Sequence, residues 1–185
     1  MRFLARQYLR PGLLVGLALL ATAGARAGAV PEHELKLALT YKVAKFVSWP
    51  AARDSAPSLL VCVLGENPFE DALPGIIGLT VKDRVIAVKH GDSIAELSTC
   101  DLLFISRSES EHLAEILAAI AGEPVLTVSD APDFATSGGI VELKTRGNRI
   151  GFEINVTAYR HAGLMISSQL LELATLVGAE TASGP

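Results

Sequence analysis

Three short apolar runs constrain the fold of this chain more than any other feature: Leu59 to Leu64, Leu102 to Ser106 and Val125 to Ser129. Each is continuous and apolar, carries β-branched or aromatic residues, and reads as a strand buried on both faces. Helical patterns lie between them. That alternation predicts an α/β fold: one compact domain with a mixed, mostly parallel sheet flanked by helices.

The segments between the runs are legible in outline. Glu32 to about Ser48 reads as an amphipathic helix with Leu35, Ala38, Leu39, Val43 and Phe46 on its apolar face, ended by Trp49-Pro50. Gly65-Glu66-Asn67-Pro68 reads as a strand-to-helix turn, with Asn67 as N-cap of a short helix that Pro74-Gly75 breaks. Val85 to Lys89 reads as a strand and Ile94 to Leu97 as a helical turn, while Ser108 and Glu111 open a helix to about Ile120. Gly139 to Thr145 and Arg149 to Ile154 flank Arg146-Gly147-Asn148, which predicts a hairpin. A terminal helical region from about Val156 to Val177 is expected to close the domain with Ile166, Leu170, Leu173, Ala174 and Val177 on one face. Ala179 to Pro185 reads as a frayed polar tail.

The first 27 residues are set apart by composition. Arg2, Arg6 and Arg10 precede the apolar run Leu13 to Ala23, and Ala25-Arg26-Ala27 supplies small residues for a signal peptidase. The expectation is a cleaved signal peptide over residues 1–27 and a single domain over 28–185. An uncleaved anchor is the alternative, disfavoured by the short apolar run. The leader holds four of the 16 basic residues and none of the 20 acids, so the remaining 158 residues carry a formal charge of −8. Such a surface repels phosphate backbones and anionic headgroups, which argues against nucleic acid and against direct membrane docking. The two cysteines, Cys62 and Cys100, favour a disulfide in an exported chain, closing a loop worth about 4 kcal/mol. Two buried free thiols are the alternative.

Catalytic patterns are hard to find. His33, His90, His112 and His161 sit in separate elements without metal-ligand spacing, and no nucleophile elbow occurs. The turn at Gly65 lacks the glycine spacing and lysine of a phosphate loop. Neither metal, cofactor nor enzymatic activity is expected. Asp130 and Asp133 follow a buried strand, where α/β folds place ligands, and are candidate ligand-binding residues; paired turn-forming acids are the plainer reading.

Two stretches go further: Tyr41-Lys42-Val43-Ala44-Lys45-Phe46-Val47-Ser48-Trp49-Pro50, and Asn148 to Asn155 continuing through His161-Ala162-Gly163-Leu164-Met165-Ile166-Ser167-Ser168-Gln169-Leu170-Leu171-Glu172-Leu173-Ala174. Together they resemble the signatures of the YfiR-like family of periplasmic proteins. Cys62, Cys100 and the Ser129-Asp130 to Gly138-Gly139 segment fall in the family's order. The resemblance implies a compact α/β domain with a mixed sheet, acting as a periplasmic repressor. Its partner would be the periplasmic sensor domain of an inner-membrane diguanylate cyclase or related sensor. Binding would lower cyclic di-GMP and biofilm formation, and an OmpA-like outer-membrane lipoprotein would sequester the repressor. A second cysteine pair of the known repressor is absent here between Asp133 and Phe152. A homodimer is compatible with the pattern and not required by it.

The candidate partner-binding residues are Trp49, Glu153, Asn155, Arg160, His161 and Gln169. Each has a structural alternative: a core lid for Trp49, an ion pair with Lys144 for Glu153, a helix cap for Asn155, and solvated surface for the rest. The rival function is a periplasmic small-molecule sensor or carrier, with Asp130 and Asp133 at its pocket, passing ligand information to a membrane partner.

Overall fold

The structure, a computed structural model, describes residues 30–91, 94–147 and 149–178. The expected signal peptide, Asn148 of the hairpin turn and the tail from Ala179 lie outside the described residues. In chain order the elements begin with α1 (Glu32–Lys45), β1 (Val47–Ser48), α2 (Ala51–Asp54) and β2 (Ser58–Leu64). A 3-10 segment (Glu70–Ile76), β3 (Thr80–Val81), β4 (Arg84–Gly91) and a second 3-10 segment (Ile94–Thr99) follow. Next come β5 (Leu102–Ile105), a third 3-10 segment (Arg107–His112), α3 (Leu113–Ala119) and β6 (Leu126–Ser129). The last elements of the described residues are β7 (Val141–Arg146), β8 (Arg149–Asn155), α4 (Val156–His161), β9 (Met165–Ile166), α5 (Ser168–Leu171) and β10 (Thr175–Val177).

Eight strands form one sheet in the order β10-β8-β7-β6-β5-β2-β4-β3. Pairing is parallel from β4 through β2, β5 and β6 to β7, and between β8 and β10. Within this sheet, among the described residues, only β3–β4 and the β7–β8 hairpin are antiparallel. The fold is therefore the mixed, mostly parallel α/β sheet read from the sequence. The three apolar runs became β2, β5 and β6, the inner strands, and their alternation sends side chains into two cores. Val61, Val63, Leu102, Phe104 and Val128 meet Val43 and Ala44 of α1 and Tyr159 of α4 on one face. Cys62, Leu64, Leu103 and Ile105 meet Ile116 of α3 on the other. Phe69 packs edge-on to Phe104, ring centroids 4.6 Å apart.

A disulfide joins Cys62 to Cys100, with Cα atoms 6.0 Å apart. The bridge pins the 3-10 segment before β5 to the sheet face, where Leu97 is also buried. A close approach shapes the turn into β7: a Cβ on Gly139 would fall 2.1 Å from the Phe134 ring, which is itself fully buried.

Several local expectations need correction. The buried stripe of α1 is Leu37, Thr40, Val43 and Ala44; of the expected face, Val43 lies in it, Leu35 and Leu39 are half-buried, and Ala38 and Phe46 are exposed. Thr40 tolerates burial because its hydroxyl donates to the Lys36 carbonyl at 2.9 Å. Asn67 turns the chain by accepting from the Phe69 N–H at 3.0 Å, and the following segment is 3-10, running through Pro74 instead of ending there. Ser106, not Ser108, caps the segment after β5. The largest correction is the terminal region, which is not one helix. Gly163, at φ 68°, ends α4, and Ile166 then pairs with Val47. Ser167 caps the single turn of α5, and Thr175–Val177 adds as an edge strand beside β8. Leu173, assigned to an apolar helix face, is 75% exposed. The helical spacing was real, but strand pairing by the β-branched Ile166 and the Thr-Leu-Val run outweighed it.

Candidate functional site

Two places gather the residues singled out in the sequence. The first is a small ribbon formed where the two long motifs meet. β1 and β9 pair antiparallel, Val47 opposite Ile166 and Ser48 opposite Met165. The Ser167 N–H donates to the Phe46 carbonyl at 2.9 Å. Segments more than a hundred residues apart thus form one unit, with α1 leading in and α4 and α5 flanking β9. Val47 and Ile166 face the core, while Met165 is 67% exposed and Phe46 37%. Lys82 reaches the ribbon from the β3–β4 turn, donating to the Ser48 hydroxyl at 2.6 Å.

The six candidate partner residues divide around this unit. Arg160, His161 and Gln169 are exposed on α4 and α5. The Arg160 guanidinium lies 5.9 Å from the Tyr159 ring centroid, which fixes its stem while its charge stays in water. Glu153 lies on β8, mostly covered, in an ion pair with Lys144 at 2.8 Å. The hydrogen bond with Glu153 is the main reason the Lys144 ammonium titrates above its ordinary value. Asn155 and Trp49 are inside. Asn155 caps α4 by accepting from the Ala158 N–H at 2.9 Å, and it donates to the Ala135 carbonyl at 2.7 Å. Trp49 is 3% exposed and its indole N–H donates to the Asp101 carbonyl at 3.0 Å, so its ring offers no surface to a partner.

Sequence reading missed what lies beside Trp49. Asp101 accepts from Arg84 and from the Leu60 N–H, both at 2.7 Å. The Arg84 and Asp101 side chains are each 5% exposed. Arg84 also lies 5.8 Å from the Trp49 ring and donates to the Ser58 carbonyl. Arg53 of α2 holds the same corner, donating to the carbonyls of Ser98, Thr99 and Cys100. Nothing in local spacing pairs Arg84 with Asp101, because their meeting depends on β4 and β5 both flanking β2.

The second place lies outside the carboxyl ends of β2, β5 and β6. Glu66, Asn67, Ser106, Arg107, Ser108 and Asp130 line a cleft of about 380 Å³ there. Asp130 is buried and ion-paired with Lys36 of α1 at 2.7 Å, with Arg107 at 3.8 Å. Lys36 also binds Glu32 at 2.8 Å, and Glu32 accepts from Thr145 of β7. Burial opposes the Lys36 charge, but its hydrogen bonds to Asp130 and Glu32 outweigh burial and raise its pKa. The hydrogen bond from Lys36 is the first cause of a lowered Glu32 pKa. Asp133 does not join this cleft. It is exposed, at φ 62°, and its carbonyl accepts from Thr136 and Ser137 in the turn. Among the described residues no three His, Cys, Asp or Glu side chains are grouped to hold a metal ion, and no helix is long and apolar enough to cross a membrane.

Residues 33–175 match the model of a family described as YfiR/HmsC-like. Two solved structures are similar in shape. One is the ABC domain from Streptococcus pneumonia in complex with L-Trp, with a TM-score of 0.51 and 8% identity, covering 78% of this chain and 60% of that one. The other is a conserved domain protein from Vibrio cholerae, with a TM-score of 0.48 and 13% identity, covering 80% of this chain and 61% of that one. The chain spans about three-fifths of the length of these two structures. At such identity the first shares a fold and nothing more.

Proposed function

From the premise that this chain belongs to the YfiR/HmsC-like family, we propose that it is a periplasmic regulatory binding protein restraining a membrane-anchored diguanylate cyclase through that enzyme's periplasmic sensor domain. The observation that carries this reading is the match across residues 33–175, which includes both long motifs, together with their convergence on the β1–β9 ribbon. Motifs that are distant in sequence and adjacent in space are what a shared docking unit requires. Exposed Met165 and Phe46 supply apolar contact at its centre, while Lys45, Lys82 and Arg160 supply positive charge on an otherwise acidic chain. A partner with an apolar spot ringed by acids suits it. An OmpA-like outer-membrane lipoprotein competing for this protein would release the cyclase.

Inhibition on this reading is differential binding: the protein prefers the inactive state of the cyclase. Holding active enzyme below about 1% from an evenly poised start needs roughly 2.7 kcal/mol of preference. An interface of ordinary size, about 800 Å² per partner, is ample for that. The test is a pull-down from solubilised inner membrane with the chain from Gly28 onward as bait. Recovery of a membrane protein with a GGDEF domain, lost on combined Met165→Asp and Arg160→Glu substitution, is the expected result. Recovery that is indifferent to those substitutions would remove the ribbon as the docking unit, and recovery of no such protein would remove the reading itself.

A further inference from the structure

An open α/β sheet forms a crevice where successive crossovers leave a strand in opposite directions, outside the carboxyl ends of the strands. Here the chain passes from β2 to β4 on one side and then back to β5 on the other. The cleft lined by Glu66, Asn67, Arg107 and Asp130 lies at that switch point, and at about 380 Å³ it suits a small ligand.

A second observation marks it as a site. Asp130 is 8% exposed, and its Oδ1 is shielded from water yet has no hydrogen-bond partner. A buried acceptor without a donor is costly and rare in native structures. Opposite it, the Arg107 side chain is 63% exposed and is held to Asp130 through Nη2 alone, 2.7 Å from the Asp130 carbonyl. Asp130, a lining residue, thus keeps one covered oxygen lacking a donor, and the cleft holds one guanidinium with N–H groups to spare.

The surrounding charges select the ligand class. Lys36 and Arg107 already flank the Asp130 carboxylate, so a ligand ammonium at Oδ1 would be a third cation around one anion. An anionic ligand on Arg107 would share the cleft with the Glu66 and Asp130 carboxylates. The wall, which includes Pro68, offers polar and apolar surface in comparable measure, so it suits a ligand that carries both better than a purely apolar one. A neutral molecule with adjacent hydroxyls meets every demand: one hydroxyl donates to Oδ1 and its neighbour accepts from Arg107. We propose that this cleft binds a small neutral saccharide, with Asp130 and Arg107 gripping a vicinal diol once the Arg107 side chain turns to admit it. This assignment stands apart from the partner reading above, since it needs no second protein.

The experiment is ¹⁵N-resolved NMR of the chain from Gly28 onward, titrated with glucose, galactose, N-acetylglucosamine and maltose, each to about 100 mM, with glycine and inorganic phosphate as comparators. The expected result is saturable shifts at Glu66, Arg107, Ser108 and Asp130 with at least one sugar. Binding should weaken about tenfold in Arg107→Ala, whose exposed side chain can be removed without unfolding the domain. Asp130→Asn should weaken it as well. Absence of shifts with all four sugars, shifts unchanged in Arg107→Ala, or stronger binding of glycine or phosphate would each overturn the assignment.

Discussion

Replacing Cys62 and Cys100 together by alanine, or reducing the bridge in the wild-type chain, separates two things the disulfide could do. The cysteines are 38 positions apart, and opening a loop of that length frees about 4 kcal/mol of chain entropy in the unfolded state. For a domain of this size, at about 2–4 °C per kcal/mol, the melting temperature should fall by roughly 10 °C. The native fold should nevertheless persist. The segment carrying Cys100 is held independently by buried Leu97, by the Arg53 bonds to three consecutive carbonyls, and by the Asp101 N–H bond to the Leu60 carbonyl at 2.9 Å. Thermal unfolding followed by circular dichroism on the oxidised, reduced and double-alanine chains would read both effects. The alanine pair should melt somewhat lower than the reduced chain, because both sulfur sites are buried and truncation leaves a cavity. A shift of less than about 2 °C on reduction would refute the loop-entropy reasoning. Loss of the fold at 25 °C would refute the claim that the segment is independently anchored.

Three further outcomes follow from single contacts. Asp101→Ala should destabilise by about 3–5 kcal/mol in urea unfolding, because it strands the buried Arg84 charge and the Leu60 N–H. Arg84→Met in the same background should recover part of that loss. Gly139→Ala should cost about 1–3 kcal/mol, measured the same way, because its Cβ would overlap the Phe134 ring, which is sealed in the core. The Lys36 pKa is raised above 10.5 in the folded chain, so its stabilising contribution is full below pH 10.5 and is lost as pH climbs through the folded value. Urea unfolding between about pH 9 and 12 should therefore show a steeper alkaline decline for wild type than for Lys36→Met.

The inner sheet was legible because β2, β5 and β6 are buried on both faces, so that composition alone marks them as strands. The hairpin was equally legible from Gly147 and the alternation of Ile150, Phe152 and Ile154 on its second strand. The terminal region misled because Ile166, Leu170 and Leu173 happen to repeat at helical spacing. What decides their fate is pairing with β1 and β8, which local sequence does not encode. The candidate site was legible in part. Asp130 was singled out by its position after a strand, but its partners Lys36 and Arg107 come from α1 and from the segment after β5, and only the folded sheet unites them. Asn155 was readable as a cap because capping is local. Trp49 could not be placed inside or outside without knowing that Asp101 waits beside it.

The central claim is that this protein silences a diguanylate cyclase from the periplasmic side. Its most direct test is cyclic di-GMP synthesis by native inner membranes, opened so that the chain from Gly28 onward reaches the periplasmic face, measured across a titration of that chain. The account predicts a saturable fall in synthesis that the Met165→Asp, Arg160→Glu variant fails to produce. Synthesis that is unchanged, or that rises, at saturating protein would contradict it.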